Sequence, residues 1–226
     1  MEKKKYELCL KVLERFHDAG ILDGLILIGS WSVFFYQYYF SHRSYSPTIR
    51  TRDMDFLVPL PSKMKKKVDI PKLLKDIGFV LDFHSSKGFM RLQHPELIVE
   101  FLVPEKGRGS DKPFDLPDLG VNAQALRFLN FLADNIIKIK IEDIQVVVPH
   151  PAAFALHKLI VCKRRNKQDK ADKDRDQALM IIDFLIKAGE EAHLKRMFNS
   201  MPKKWQEKVI APLRSFDRND IIGLLK

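Results

Sequence analysis

Cysteine is scarce in this chain of 226 residues: Cys9 and Cys162 lie far apart, and neither has the CxxC or Cys/His spacing of a zinc site. A disulfide framework and a structural zinc are therefore both excluded. The seven histidines form no HExxH or related ligand pattern. Internal repeats and low-complexity tracts are missing, which removes solenoids and wholesale disorder. There is also no uninterrupted apolar run of membrane-spanning type. The longest stretch without Asp, Glu, Lys or Arg, residues 24–42, carries Gly29, Ser30, Ser32 and Gln37 near its middle and reads as a strand, a turn and a buried helix. No apolar signal segment follows Met1-Glu2-Lys3-Lys4-Lys5 directly, so the expected setting is a reducing cytoplasm without membrane contact.

Hydrophobic residues at 46% and charged residues at 30% describe a globular chain, long enough for one generous domain or two small ones with a real core. The net charge of +10 is unevenly spread. Residues 151–226 hold 17 Lys and Arg against 10 Asp and Glu, or +7, whereas the first 150 hold 22 against 19, or +3. A basic final third suits a polyanionic partner such as RNA or a nucleotide, although a solvated helical face has the same composition.

Apolar positions Leu8, Val12, Leu13 and Phe16 recur at helical spacing and predict a helix over 4–19. A strand follows at 25–29, a helix at 30–40, a polar loop through Pro47 and a strand at 52–58 that Pro59 and Pro61 stop. A short helix at 71–77 leads to three alternating runs, 78–83, 88–93 and 97–103, expected as consecutive antiparallel strands. Residues 104–120, with Gly107, Gly109, Gly120, Pro104, Pro113 and Pro117, read as a long loop of the kind that covers a ligand. A helix at 122–133 and strands at 136–141 and 144–148 come next, and helices at 152–163, 170–188, 190–199 and 203–214 complete the pattern. Two domains are expected, 1–148 and 149–226.

Gly29-Ser30 ends an apolar run and opens a helix, where free N–H groups and a small residue make an anion site and Ser30 serves as N-cap. Strand plus Gly-Ser plus helix is also a routine connection. In Arg50-Thr51-Arg52-Asp53-Met54-Asp55, the alternation of a strand puts Asp53 and Asp55 on one face. Paired carboxylates within a buried strand call for a cation, and Mg²⁺ is the hard ion such oxygens take. Glu100 is the only charge in the apolar run 97–103 and needs a positive partner as well. Lys158 and the set Lys170, Lys173, Asp174 and Gln177, which shares one helical face, supply cations able to steady a triphosphate or departing pyrophosphate. His150 and His157 read as structural, and the aromatics from Trp31 to Tyr39 as helix-core packing.

Taken together, Ile28-Gly29-Ser30, Thr51-Arg52-Asp53-Met54-Asp55 and Val99-Glu100-Phe101 resemble the motif set of the DNA polymerase beta-like nucleotidyltransferase superfamily. Residues 149–159 and 173–178 look like a bacterial nucleotidyltransferase-fold family of largely undefined role, similar in plan to abortive-infection nucleotidyltransferase toxins. The resemblance implies an α+β class: a nucleotidyltransferase fold, with a mixed sheet flanked by helices, followed by a C-terminal helical domain. It implies that Gly29 and Ser30 hold phosphate, that Asp53, Asp55 and Glu100 are catalytic and bind Mg²⁺ or Mn²⁺, and that Arg52, Lys158 and Lys173 bind nucleotide. Glu100 stands where many relatives have Asp, and Trp31 stands where many have a second serine. The expected activity moves a nucleoside monophosphate from an NTP to a hydroxyl of RNA or tRNA, a protein or a small molecule, with RNA engaged by the basic C-terminal region. The alternative is a noncatalytic nucleotide sensor or RNA-binding module on the same scaffold.

Overall fold

Helix α1 (Glu2–Asp18) lays Leu8, Val12, Leu13 and Phe16 along one buried stripe, as the spacing predicts. The computed structural model describes residues 2–40, 45, 47, 51–62, 64, 66–107 and 112–226. Much of the polar loop expected before residue 51, and the middle of the expected 104–120 loop, lie outside the described residues. The chain divides into two units, Met1–Ser41 with Ser46–Pro149, and His150–Lys226 with His42–Tyr45. The fold class is α+β, as expected.

In the first unit, β1 (Ile26–Ile28) runs straight into α2 (Gly29–Tyr39), and β2 (Asp53–Leu57) follows. Then come α3 (Ile70–Leu74), β3 (Val80–His84), β4 (Phe89–Gln93) and β5 (Ile98–Pro104). Asp69 caps α3 by accepting from the Lys72 N–H at 3.0 Å, with proline in the first turn, as helix starts prefer. The spatial order is β1-β2-β5-β4-β3. β1 is antiparallel to β2, β2 is parallel to β5, and β4 is antiparallel to both β5 and β3.

Strand alternation gives this sheet two different faces. Met54 and Phe56 of β2 and Val99, Phe101 and Val103 of β5 are buried on one of them. The Phe16 ring of α1 meets Phe56 edge-on at 5.2 Å and Phe101 at 6.5 Å. Asp53, Asp55, Ile98, Glu100 and Leu102 alternate onto the other face.

The expected helix at 122–133 is corrected. Residues 121–126 form β7 (Val121–Leu126), and the helix α4 is only Leu129–Asp134. β7 pairs in parallel with the end of β5 (Leu102↔Gln124) and antiparallel with β6 (Phe114–Leu116), a short strand within the expected 104–120 loop. Pairing with β5 overrides the local helical tendency of Ala-Gln-Ala-Leu. β2 occupies one edge of β5 up to Leu102, so β4 and β7 share the opposite edge. β4 leaves that edge after Val99 and β7 joins it at Leu102, which puts the changeover beside Glu100 and Phe101. Buried Asn122 bridges the two strands: its Oδ1 accepts from the Met90 N–H at 2.8 Å and its Nδ2 donates to the Gly88 carbonyl at 3.0 Å. β8 (Ile136–Ile141) and β9 (Ile144–Pro149) form a separate antiparallel hairpin. The buried Tyr36 hydroxyl of α2 donates to the Pro149 carbonyl at 2.8 Å.

The second unit is helical: α5 (Pro151–Cys162), α6 (Gln168–Lys187), α7 (Glu191–Asn199), α8 (Lys203–Ser215) and α9 (Asn219–Leu225). α9 lies beyond the last of the expected helices, in a stretch whose pattern is helical to the end. Proline at the start of α5 and the His150 ring, whose Nδ1 accepts from the Ala152 N–H at 3.1 Å, set the entry to that helix. His150 stacks flat on His193, with centroids 4.2 Å apart. Among the described residues no helix is long and apolar enough to cross a membrane.

Two predictions follow from this packing. Phe56→Ala empties the contact between α1 and the sheet and should lower unfolding free energy by about 3–5 kcal/mol in chemical denaturation. The second concerns acid. Burial, with His193 beside it, lowers the His150 pKa to about 4, and burial, with Lys158 adjacent, lowers that of His157 to about 3. The unfolded rings titrate near 6.5, so the unfolded state binds more protons below that pH. Stability from both groups is complete above 6.5 and falls as pH drops towards 4 and 3. Each should cost on the order of 1–2 kcal/mol at pH 5. The denaturation midpoint should drop between pH 7 and 5, and His150→Asn, which keeps a capping acceptor without titrating, should flatten part of that drop.

Candidate active site

Two backbone facts assemble the acidic part of the site. In the parallel ladder Asp55 and Glu100 are register partners, so they stand side by side, about 4.8 Å apart along the sheet. Asp53, two residues earlier on β2, projects to the same face. Asp53 is exposed, and Asp55 and Glu100 are half-buried. The expectation of carboxylates inside a buried strand is thus corrected, because β2 buries only its alternate residues Met54 and Phe56 together with its end at Leu57.

Gly29 sits where β1 turns into α2, with φ +72°, a conformation that favours glycine. A Cβ built at this position would lie 2.5 Å from Asp55 Oδ2. The close approach follows from the ladder, since Ile28 is the register partner of Asp55. Ser30 lies in the first turn of α2 and is not its N-cap. That position falls to Ile28, which has no side-chain acceptor, because the left-handed turn at Gly29 starts the helix one residue earlier. The N-cap residue thus brings no side-chain acceptor of its own to the first turn, whose N–H groups are the kind that serve an anion. The Ser32 hydroxyl donates to the Gly29 carbonyl at 2.8 Å and braces the turn.

Arg52, directly before β2, donates from Nη2 to the His94 carbonyl at 2.9 Å, while its own carbonyl accepts from the Ile98 N–H at 2.8 Å. It anchors the start of β2 against the entry to β5. Lys158 and Lys173 belong to the helical unit. Lys158 is buried in α5 with its ammonium 2.5 Å from Asp174 Oδ1, and Arg165 Nε lies 2.6 Å from Asp174 Oδ2. Burial alone would raise the Asp174 pKa, but Lys158 and Arg165 outweigh it and hold the carboxyl below its ordinary value. Lys173, one residue earlier on α6, is exposed. His157 is buried with both ring nitrogens lacking a hydrogen-bond partner among the described residues, in keeping with its neutral state.

Asp53, Asp55 and Glu100 offer hard oxygen donors on a single face, the chemistry Mg²⁺ and Mn²⁺ take. Among the described residues no three His, Cys, Asp or Glu side chains are yet gathered into a metal-holding group. The fit to a divalent ion therefore rests on donor type and register.

A chain with this mixed sheet, Gly-Ser turn and carboxylate pair is built as a nucleotidyltransferase. The nucleotidyltransferase family model matches residues 7–202, and the chain belongs to that family, whose enzymes transfer nucleoside monophosphates. An antigenic nucleotidyltransferase-like protein from Paracoccidioides brasiliensis shares the fold, with a TM-score of 0.51 at 11% identity over 96% of this chain and 90% of that one. The antibiotic-resistance factor ANT(2'')-Ia is also similar, with a TM-score of 0.49 at 11% identity over 97% of both chains in solution. Its crystal structure in complex with adenylyl-2''-tobramycin gives 0.48 at 10% identity over 85% of this chain and 97% of that one. At such identities the likeness concerns the fold alone. No curated protein matches the sequence.

The Gly29 contact is directly testable. Gly29→Ala adds both a strained φ and a clash with Asp55, and should cost about 1–3 kcal/mol of stability. Combining it with Asp55→Ala should recover the clash and leave the strain, so a double-mutant cycle of denaturation midpoints should show coupling between the two positions.

Proposed function

We propose that this enzyme transfers a nucleoside monophosphate from an NTP to a hydroxyl of RNA, tRNA included, and releases pyrophosphate, with Asp53, Asp55 and Glu100 as catalytic carboxylates and ligands of Mg²⁺, or Mn²⁺ in its place. The observation that carries this reading is the register pairing of Asp55 with Glu100, with Asp53 on the same face and Gly29 against Asp55. The acceptor oxygen bonds to the α-phosphorus, the bond from that phosphorus to the bridging oxygen breaks, and pyrophosphate leaves with the electron pair. Glu100 takes the acceptor proton. The first turn of α2, at Gly29 and Ser30, holds phosphate oxygens through its N–H groups. Arg52 adds positive charge beside Asp53. Lys158 and Lys173, both carried by the helical unit, are the proposed nucleotide-binding lysines. Divalent ions, when bound, would screen the triphosphate and stabilise the attacking and leaving oxygens. The basic balance of residues 151–226 supports a polyanionic acceptor.

The test supplies each α-labelled NTP with Mg²⁺ and total RNA plus protein extract to the wild type and to the Asp53→Ala, Asp55→Ala double variant. Label should enter RNA with the wild type and fall at least about 100-fold with the variant, the scale of losing an electrostatic catalytic element. Equal labelling by both proteins would overturn the assignment of the carboxylates. Dependence on the ion is read by adding EDTA, which should stop transfer, and then restoring excess Mg²⁺, which should recover it.

A further inference from the structure

The face of the sheet that carries the carboxylates does not end at Glu100. Register and alternation continue it through Leu102 of β5 to its partner Gln124 on β7, and across the changeover to Phe89 of β4 with its partner His84 on β3. Where β4 parts from β5 and β7 has not yet replaced it, the sheet opens into a cleft of about 260 Å³. Glu100, Leu102, Phe89, Gln124, His84 and Lys87 line it. The candidate proton acceptor thus forms one wall of a formed cleft that none of the motifs marks.

We propose that this cleft seats the acceptor, and that the acceptor is the 3′-terminal nucleoside of an RNA strand. The inference rests on the transfer reading above. The cleft lies just below the roughly 300 Å³ at which pockets for drug-sized ligands begin, which suits a single nucleoside. Phe89 and Leu102 give an apolar surface on which any base can stack, and the Gln124 amide can both donate to and accept from a base edge. Among the described residues Glu100 is the only acid in the lining, while Lys87 brings positive charge to the same opening and His84 adds a polar ring. That balance favours a phosphate-linked acceptor and disfavours a polycationic one. His84 is oriented by Arg91, whose Nη1 lies 3.3 Å from His84 Nδ1, and Arg91 is itself held by Asp82 at 2.7 Å. A ribose 3′-hydroxyl beside Glu100 would give up its proton to that carboxylate as its oxygen bonds to the α-phosphorus and pyrophosphate leaves.

The full-length protein is tested with short single-stranded RNA ending in a 3′-hydroxyl, the same RNA ending in a 3′-phosphate, a polycationic amino sugar and a serine-containing peptide, each with α-labelled NTP and Mg²⁺. Phe89→Leu keeps apolar bulk and removes the ring, and Gln124→Ala removes the amide. Both positions are at least partly exposed, and thermal melting checks that each variant folds. The expected result is labelling of the 3′-hydroxyl RNA alone. In each variant KM for RNA should rise about 10-fold, the scale of losing one stacked base, while KM for NTP stays within about twofold. An unchanged RNA KM in both variants, or labelling of the amino sugar or peptide in preference to RNA, overturns the cleft assignment and leaves nucleotidyl transfer standing. Loss of NTP-dependent pyrophosphate release from the wild type, with every acceptor, sinks the transfer reading and the cleft assignment together.

Discussion

Everything at the candidate active site depends on the parallel pairing of β2 with β5. Parallel neighbours cannot be joined by a tight turn, and residues 58–97, with α3, β3 and β4, make the long connection this pair requires. The register is held by burial: Met54 and Phe56 on one strand and Val99, Phe101 and Val103 on the other must all face the α1 side. A slip of one residue would move Glu100 into the aromatic layer around Phe16 and expose Phe101. The apolar alternation that stabilises the sheet is therefore also what aligns Asp55 with Glu100.

Charge is organised differently in the two units. In the first, acidic side chains share a face with Phe89, Gln124 and Leu102, where water, ions and substrate can reach. In the second, Asp174 is buried and carries two cations, Lys158 and Arg165, an arrangement that avoids the cost of an unpaired interior carboxylate. Any anion that approached Lys158 would have to compete with Asp174 for it. Lys173, on the adjacent helix, is exposed and one residue from Asp174.

Much of the fold was legible in the sequence, but unequally. The helix of α1 and the hairpin β8–β9 declare themselves through period, and the Gly-Ser turn and the Asp-x-Asp strand through local chemistry. The 121–126 strand did not, because Ala, Gln and Leu favour helix locally and only the free edge of β5 beyond Phe101 makes a strand of them. That one misreading hid the cleft. With β7 taken for a helix, Gln124 has no place on the carboxylate face, and Phe89 and His84 look like ordinary residues of a peripheral hairpin. The N-cap position was hidden for a related reason: it falls to Ile28, ahead of a left-handed Gly29 beside which Asp55 leaves no room for a side chain.

The sequence by itself determined the chemical vocabulary: three carboxylates, a Gly-Ser turn, a basic final third, and the alternation that puts Asp53 and Asp55 on one face. These are local or compositional properties, and the covalent chain carries them into any fold. Only tertiary structure decided which face stays open, that Asp55 meets Glu100, that Gly29 must lack a side chain, and that β4 yields to β7 beside the candidate base. Those outcomes depend on pairing between segments tens of residues apart, where burial of one face chooses the register and local propensity has no say.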